Sequence, residues 1–278
     1  MRIVTYRSDR GARAGLLRDG AVVDIWTALG GRGSGVRDLL ESGRLEEVAE
    51  IGDARIVRLQ AVELLPPVPD PQKIICIGLN YKAHAAEAGI EPPETPTFFG
   101  KFANALAPPG ASVPLPRASQ KVDFEAEVAF VIRRQCANVS EADAAECVAG
   151  YMLFNDLSAR DLQFATPQWM PGKVFDGSAP CGPALVTAEE ALAEGPISFS
   201  LTLNGERMQS ATTDDLIFSV PELVSHLSSL MTLEPGDIVS TGTPSGVGST
   251  RDPRVWLSEG DELAISSPTL GLLETRIG

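Results

Sequence analysis

The sequence predicts a mixed α/β fold dominated by strands, and three observations carry that prediction. Short runs of β-branched and apolar residues recur along the chain, proline and glycine turns interrupt them, and few stretches show helical spacing. Length adds a constraint. At 278 residues the chain is long for one compact unit, so a main domain with a smaller attached piece is expected.

The first segment, MRIVTYRSDRGARAGLLRDGAVVDIW, alternates short β-type runs with turn residues and reads as a hairpin-rich module with Trp26 in its core. In GVRDLLESGRLEEVAE, Leu39, Leu40, Leu45 and Val48 recur at helical spacing and predict a short helix. LLPPVPDPQK then packs Pro66, Pro67, Pro69 and Pro71 into an extended linker. The boundary falls there, with a small β-rich domain over 1–66 and the main domain over 67–278. Strands are expected at KIICIGL, EVAFVI, ISFSLTLNG, DIVSTG and DELAIS. Helical pieces are expected at YKAHAAEAG, SEADAAECVAG, SARDLQFA and SVPELVSHLSSLM.

Hydrophobic residues at 44% and charged residues at 22% are ordinary for a globular protein. The net charge of −14 leaves no basic stripe for phosphates, which argues against a nucleic-acid partner. No N-terminal apolar region and no apolar stretch near the roughly 20 residues of a membrane span are present. A cytoplasmic protein without membrane association is expected. Cys76, Cys136, Cys147 and Cys181 lack the spacing of a zinc or redox motif and read as core thiols.

The stretch VDFEAEVAFVI places Asp123, Glu125 and Glu127 on one side of a strand, because strand side chains alternate faces. On an exposed edge they would form a solvated face. The apolar block that follows favours burial instead, since such strands are usually covered on both sides. Buried carboxylates then need hydrogen bonds, cations or a metal, and oxygen-only ligands point to a hard cation such as Mg²⁺, Mn²⁺ or Ca²⁺ rather than zinc. Asp156, at the end of another apolar run, is a further candidate ligand; as a second reading, Asn155, Asp156 or Ser158 caps the helix that follows. Arg160 and Gln163, one helical turn apart, either orient acids and substrate or lie at the surface.

In GLNYKAHAAEAG, a helix starting after an Asn80 cap sets His84 and Glu87 side by side at i and i+3. A carboxylate beside imidazole holds its tautomer and suits it to proton abstraction, although the same spacing occurs in plain surface pairs. His226 has no such partner and reads as structural. Lys173, in a loop rich in glycine and proline, is either an anchor for an anionic substrate or a solvated lysine. STGTPSGVGS offers Thr241, Thr243 and glycine-flanked N–H groups as a carboxylate-binding turn, without the lysine and spacing of a phosphate-binding loop.

Taken in order, NYKAHAAE, DFEAEVAFVI, NDLSARDLQ, GKVFDGSAPCGP and STGTPSGVG resemble the fumarylacetoacetate hydrolase family, specifically its short members with a histidine and glutamate helix. The likeness spans about residues 70 to 265, and the first 66 residues resemble the variable N-terminal domain of some members. The resemblance implies a β-roll or sandwich catalytic domain, a homodimer, and one divalent metal held by Glu125, Glu127 and Asp156. His84 and Glu87 match the pair that activates water. Lys173 and Gln163 match groups near the substrate, Thr243 matches the position that holds its carboxylate, and Asp123 matches an acid behind the ligands. The implied activity is hydrolysis of a C–C bond in an acylpyruvate or related β-diketo acid through a metal-stabilised enolate. The alternatives are decarboxylation of oxaloacetate-type 2-oxo acids, isomerisation of 2-hydroxyhepta-2,4-diene-1,7-dioate-type substrates of aromatic catabolism, and hydrolysis of diketo sugar acids. A protein that binds metal without catalysis is the reading from a different class. In each catalytic case the partner is a small anionic 2-oxo acid.

Overall fold

The computed structural model describes residues 1–52, 56–58 and 61–278. Among these, strands build one large sheet, a five-stranded sheet and a two-stranded ribbon. The large sheet runs in the order Ile56–Arg58, Ala21–Asp24, Gly11–Arg18, Arg2–Ser8, Ala179–Thr187, Val148–Asn155, Ala126–Ile132, Ile238–Ser240, Ile74–Gly78 and Thr97–Lys101. The five-stranded sheet runs Glu206–Thr212, Ser198–Leu203, Glu262–Ser267, Gly271–Ile277 and Ser112–Val113. Strand Arg2–Ser8 pairs with Ala179–Thr187, so the N-terminal strands extend the sheet of the main region. Trp26 is buried there, as its sequence context predicts.

Every residue of Ala126–Ile132 and Val148–Asn155 is buried. The first strand shows how the sheet is covered on both faces. Val128, Phe130 and Ile132 join a core that reaches Leu201, Ile265 and Leu273 of the smaller sheet. Ala129 and Val131 join a second core containing Ile3, Trp26 and Leu39. That alternation follows from the two-residue period of a strand, and it puts Glu127 on the second face.

Three local expectations need correction. The helix read over 35–50 is two pieces, Val36–Glu41 and the 3₁₀ turn Glu46–Glu50, because Gly43 takes a left-handed backbone (φ +66°) between them. The stretch from Val122 to Ile132 is not one strand. Its ladder stops after Asp123 and resumes at Ala126, because side-chain oxygens take the intervening amides: Phe124 N–H donates to Asp123, Glu125 N–H to Asn155 and Ala126 N–H to Gln209. Finally, Asn80 does not cap the helix Lys82–Ala88. Tyr81 occupies that position, while the Asn80 amide ties together Phe218 and Thr241.

Candidate active site

Strand pairing brings the acids together. Ala126 lies opposite Asn155 in the antiparallel ladder, so Glu125 and Glu127 at the start of one strand meet Asp156 at the end of its neighbour. The Asp156 N–H donates to the Glu125 carbonyl at 2.9 Å and locks that junction. One oxygen from each of Glu125, Glu127 and Asp156 lies within 4.8 Å of the others, and all three residues are buried. Asp156 caps no helix, since the short helix Arg160–Gln163 begins after Ala159 without a side-chain cap. The ligand reading of Asp156 therefore fits its position, and the capping reading does not.

Cations surround part of this cluster. Lys173 bridges Glu125 at 2.7 Å and Asp156 at 2.8 Å, and Lys101 meets the other Asp156 oxygen at 2.7 Å. Arg160 pairs with Glu125 at 2.6 Å and Asp123 at 2.8 Å and donates to Gln163 at 3.0 Å. Lys173 is thus buried rather than a solvated loop lysine. Burial by itself would raise the Glu125 carboxyl, but Lys173 and Arg160 bring it down to about 2. Burial would lower the Lys173 ammonium, and Asp156 with Glu125 push it the other way, above the ordinary lysine value.

Glu127 stands apart. It accepts hydrogen bonds from the Ser240 hydroxyl and the Gly242 N–H but makes no ion pair among the described residues. Burial, with Asp156 and Glu125 nearby, pushes its carboxyl well above the usual range. Three oxygen donors, one of them lacking a cationic partner, fit a hard divalent cation.

The helix Lys82–Ala88 brings an imidazole to the cavity. His84 Nδ1 lies 3.2 Å from Glu87 Oε2, and the Gly246 N–H donates to both Glu87 oxygens at 3.0 and 3.2 Å. An ionised carboxylate only accepts, so Nδ1 carries hydrogen and Nε2 is left as the proton acceptor. The glycine-rich turn read as a substrate carboxylate site spends its amides on the protein's own acids. Gly242 serves Glu127, Gly246 serves Glu87, and Gly248 and Ser249 serve Asp123 at 2.7 and 3.0 Å. At Gly246 (φ +99°) a side chain would put a Cβ atom 2.3 Å from the Met208 carbonyl, so the close approach requires glycine.

A cavity of about 440 Å³ joins these groups, with His84, Glu125, Glu127, Arg160, Gln163, Lys173 and Thr243 in its wall. Asp123 lies behind it, bound to Arg160 and the turn. Thr243 donates to the Ala126 carbonyl and accepts from Gln209, which fixes it at the rim of the cluster. His226 lies on the helix Val220–Leu230, away from the cavity wall. Sequence reasoning missed Lys101, Ser240 and Gln209. Lys101 and Ser240 each end an apolar strand, a signal of the kind that singled out Asp156. Gln209 arrives from the smaller sheet, 83 positions beyond Ala126, with no local signal.

A model of the fumarylacetoacetate hydrolase C-terminal domain matches residues 73–278. The chain belongs to the fumarylacetoacetate hydrolase family. It is 36% identical to the mitochondrial oxaloacetate tautomerase of Xenopus laevis, covering 100% of this chain and 90% of that protein. The fumarylacetoacetate hydrolase of Exiguobacterium antarcticum superposes with a TM-score of 0.86 at 31% identity, covering 100% and 99% of the two chains. A 5-carboxymethyl-2-hydroxymuconate delta-isomerase from Mycobacterium smegmatis gives 0.80 at 32%, with coverage of 100% and 98%. The strand-dominated fold predicted from sequence is therefore the fold of this family. No described helix is long and apolar enough to cross a membrane.

Proposed function

We propose that this family member moves a proton at the carbon beside the ketone of a 2-oxo acid, interconverting keto and enol forms of oxaloacetate-type acids or shifting a double bond in a related dienedioate. The observation that carries this reading is His84, paired with Glu87, on the wall of the same cavity as Glu125, Glu127 and Lys173. C–C hydrolysis stood first on sequence. The similarity to an oxaloacetate tautomerase and to a delta-isomerase favours proton transfer.

Glu125, Glu127 and Asp156 would hold the divalent cation, Mg²⁺ or Mn²⁺ by donor chemistry, with Ca²⁺ as a further fit. When bound, such a cation supplies electrophilic stabilisation to an oxyanion. The chain's own residues do the rest. His84 Nε2 takes the proton from the carbon next to the ketone and can return it, while Glu87 keeps Nδ1 protonated and the ring in place. Lys173 adds a buried positive charge beside the developing enolate, where low dielectric makes it effective. Gln163 offers its side-chain N–H to the acid's carboxylate, whereas the Thr243 hydroxyl has already given its hydrogen to the Ala126 carbonyl. For hydrolysis, which the Exiguobacterium similarity supports as a second reading, the same His84 would take its proton from water.

The test follows solvent deuterium entering the methylene of oxaloacetate and the decay of its enol absorbance, with Mg²⁺ present. His84→Ala should lower the rate by roughly 10²–10⁴-fold while leaving metal binding intact. Wild-type rates equal to those without protein would reject the proposal, and release of CO₂ or of two smaller acids would move it to decarboxylation or hydrolysis. The homodimer and a cytoplasmic setting are proposals of the same standing; light scattering tests the first.

A further inference from the structure

We propose that the outer part of the cavity is a subsite for an apolar, planar group, so that the preferred 2-oxo acid carries an aryl-type substituent on the carbon beside its ketone. This inference rests on the proton-transfer reading for the chemistry of the acid's head. It rests on different residues for the substituent.

The cavity wall combines charged groups with the large apolar side chains Ile90, Phe99, Phe164 and Trp169. Arg160 and Gln163 face the carboxylate cluster, 8% and 5% exposed, whereas Phe164, the next residue of the same turn, is 68% exposed and still lines the cavity. The backbone fixes that split, because the Phe164 N–H donates to the Arg160 carbonyl and holds residue i+4 above residue i. Ile90, 53% exposed, lines the same cavity. Because both line the cavity, these two side chains give a bound ligand apolar surface to cover.

An aromatic wall connects this surface to the chemistry. Trp169 packs edge to face on Phe99, with ring centroids 6.0 Å apart at 70°. The Lys173 ammonium, which bridges Glu125 and Asp156, sits 5.0 Å from the centre of the Phe99 ring. Trp169 reaches its place because residue 78 is glycine: a Cβ there would lie 2.3 Å from the indole ring. A substituent on an acid whose head lies at Lys173 therefore runs along Phe99 and Trp169 toward Phe164. Flat faces and edges of that kind favour a planar guest. The size agrees, since about 440 Å³ is in the range that encloses ligands larger than a four-carbon acid.

Calorimetric titration of the Mg²⁺-supplemented protein with phenylpyruvate and with pyruvate, the same head without the ring, tests the subsite apart from turnover. Phenylpyruvate should bind at least about tenfold more tightly, a modest return for a filled apolar pocket. Phe164→Ser should cut that ratio severalfold, and Ile90→Ser should cut it as well; melting curves verify that both variants fold. Equal affinities for the two acids, no detectable phenylpyruvate binding, or an unchanged ratio in both variants would overturn the proposal. Preferential phenylpyruvate binding without enol turnover of either acid would keep the subsite and remove the proton-transfer reading.

Discussion

At the scale of single residues, Glu127 and Asp24 show how neighbours decide what a carboxylate does. Glu127 sits beside two other acids and has two neutral donors, so a proton and a metal compete for it. Divalent affinity, followed by calorimetry, should fall as the pH drops, and Glu127→Gln should weaken binding and flatten that pH dependence. Asp24 is the opposite case. Burial would raise its carboxyl, but hydrogen bonds from Arg13, Tyr6 and Thr27 hold it well below the usual range. A folded value below the unfolded one means that this stabilisation is complete above the unfolded value, about pH 4, and is lost as the pH falls through the folded one. Asp24→Asn should therefore melt lower than wild type at pH 7, with the gap narrowing below about pH 4. Burial, together with the same hydrogen bond to Asp24, pushes the Tyr6 phenol up to about 12.

At the scale of elements, what the sequence signalled depended on whether the signal was local. The helix Val220–Leu230 was legible because its start is written in consecutive residues: Ser219 accepts from the Glu222 N–H, and Glu222 reaches back to the Ser219 N–H. Ser219→Ala should cost about 1 kcal/mol, and thermal melting should register a fall of roughly 2 °C. Asn80 looked like a similar cap and is not one, since its partners at Phe218 and Thr241 lie far along the chain. The interrupted ladder at Phe124–Glu125 was illegible for the same reason. The acceptors that replace it are supplied by Asn155 and Gln209, from other strands.

At the scale of the whole molecule, the large sheet places the ends of separate strands around one cavity, and that convergence leaves carboxylates from two strands to be neutralised together. Metal binding to the folded chain alone adds stability by mass action, about 2.7 kcal/mol at a concentration 100 times the dissociation constant. Mg²⁺ or Mn²⁺ should raise the melting temperature and a chelator should reverse the rise. A melting temperature insensitive to both would mean that Glu125, Glu127 and Asp156 do not hold an ion.

The chain's order of residues alone determined which chemistry is present: acids at alternate positions before an apolar strand, a histidine one turn from a glutamate, and the motifs that marked the family. Those are short-range patterns, and period and spacing are enough to read them. The tertiary structure decided which charges meet. Lys101, Lys173 and Arg160 divide Glu125 and Asp156 among them and leave Glu127 to neutral donors, and the glycine turn gives its amides to acids far away in sequence. Electrostatic pairing depends on distance in space, and strand register, not sequence separation, sets that distance.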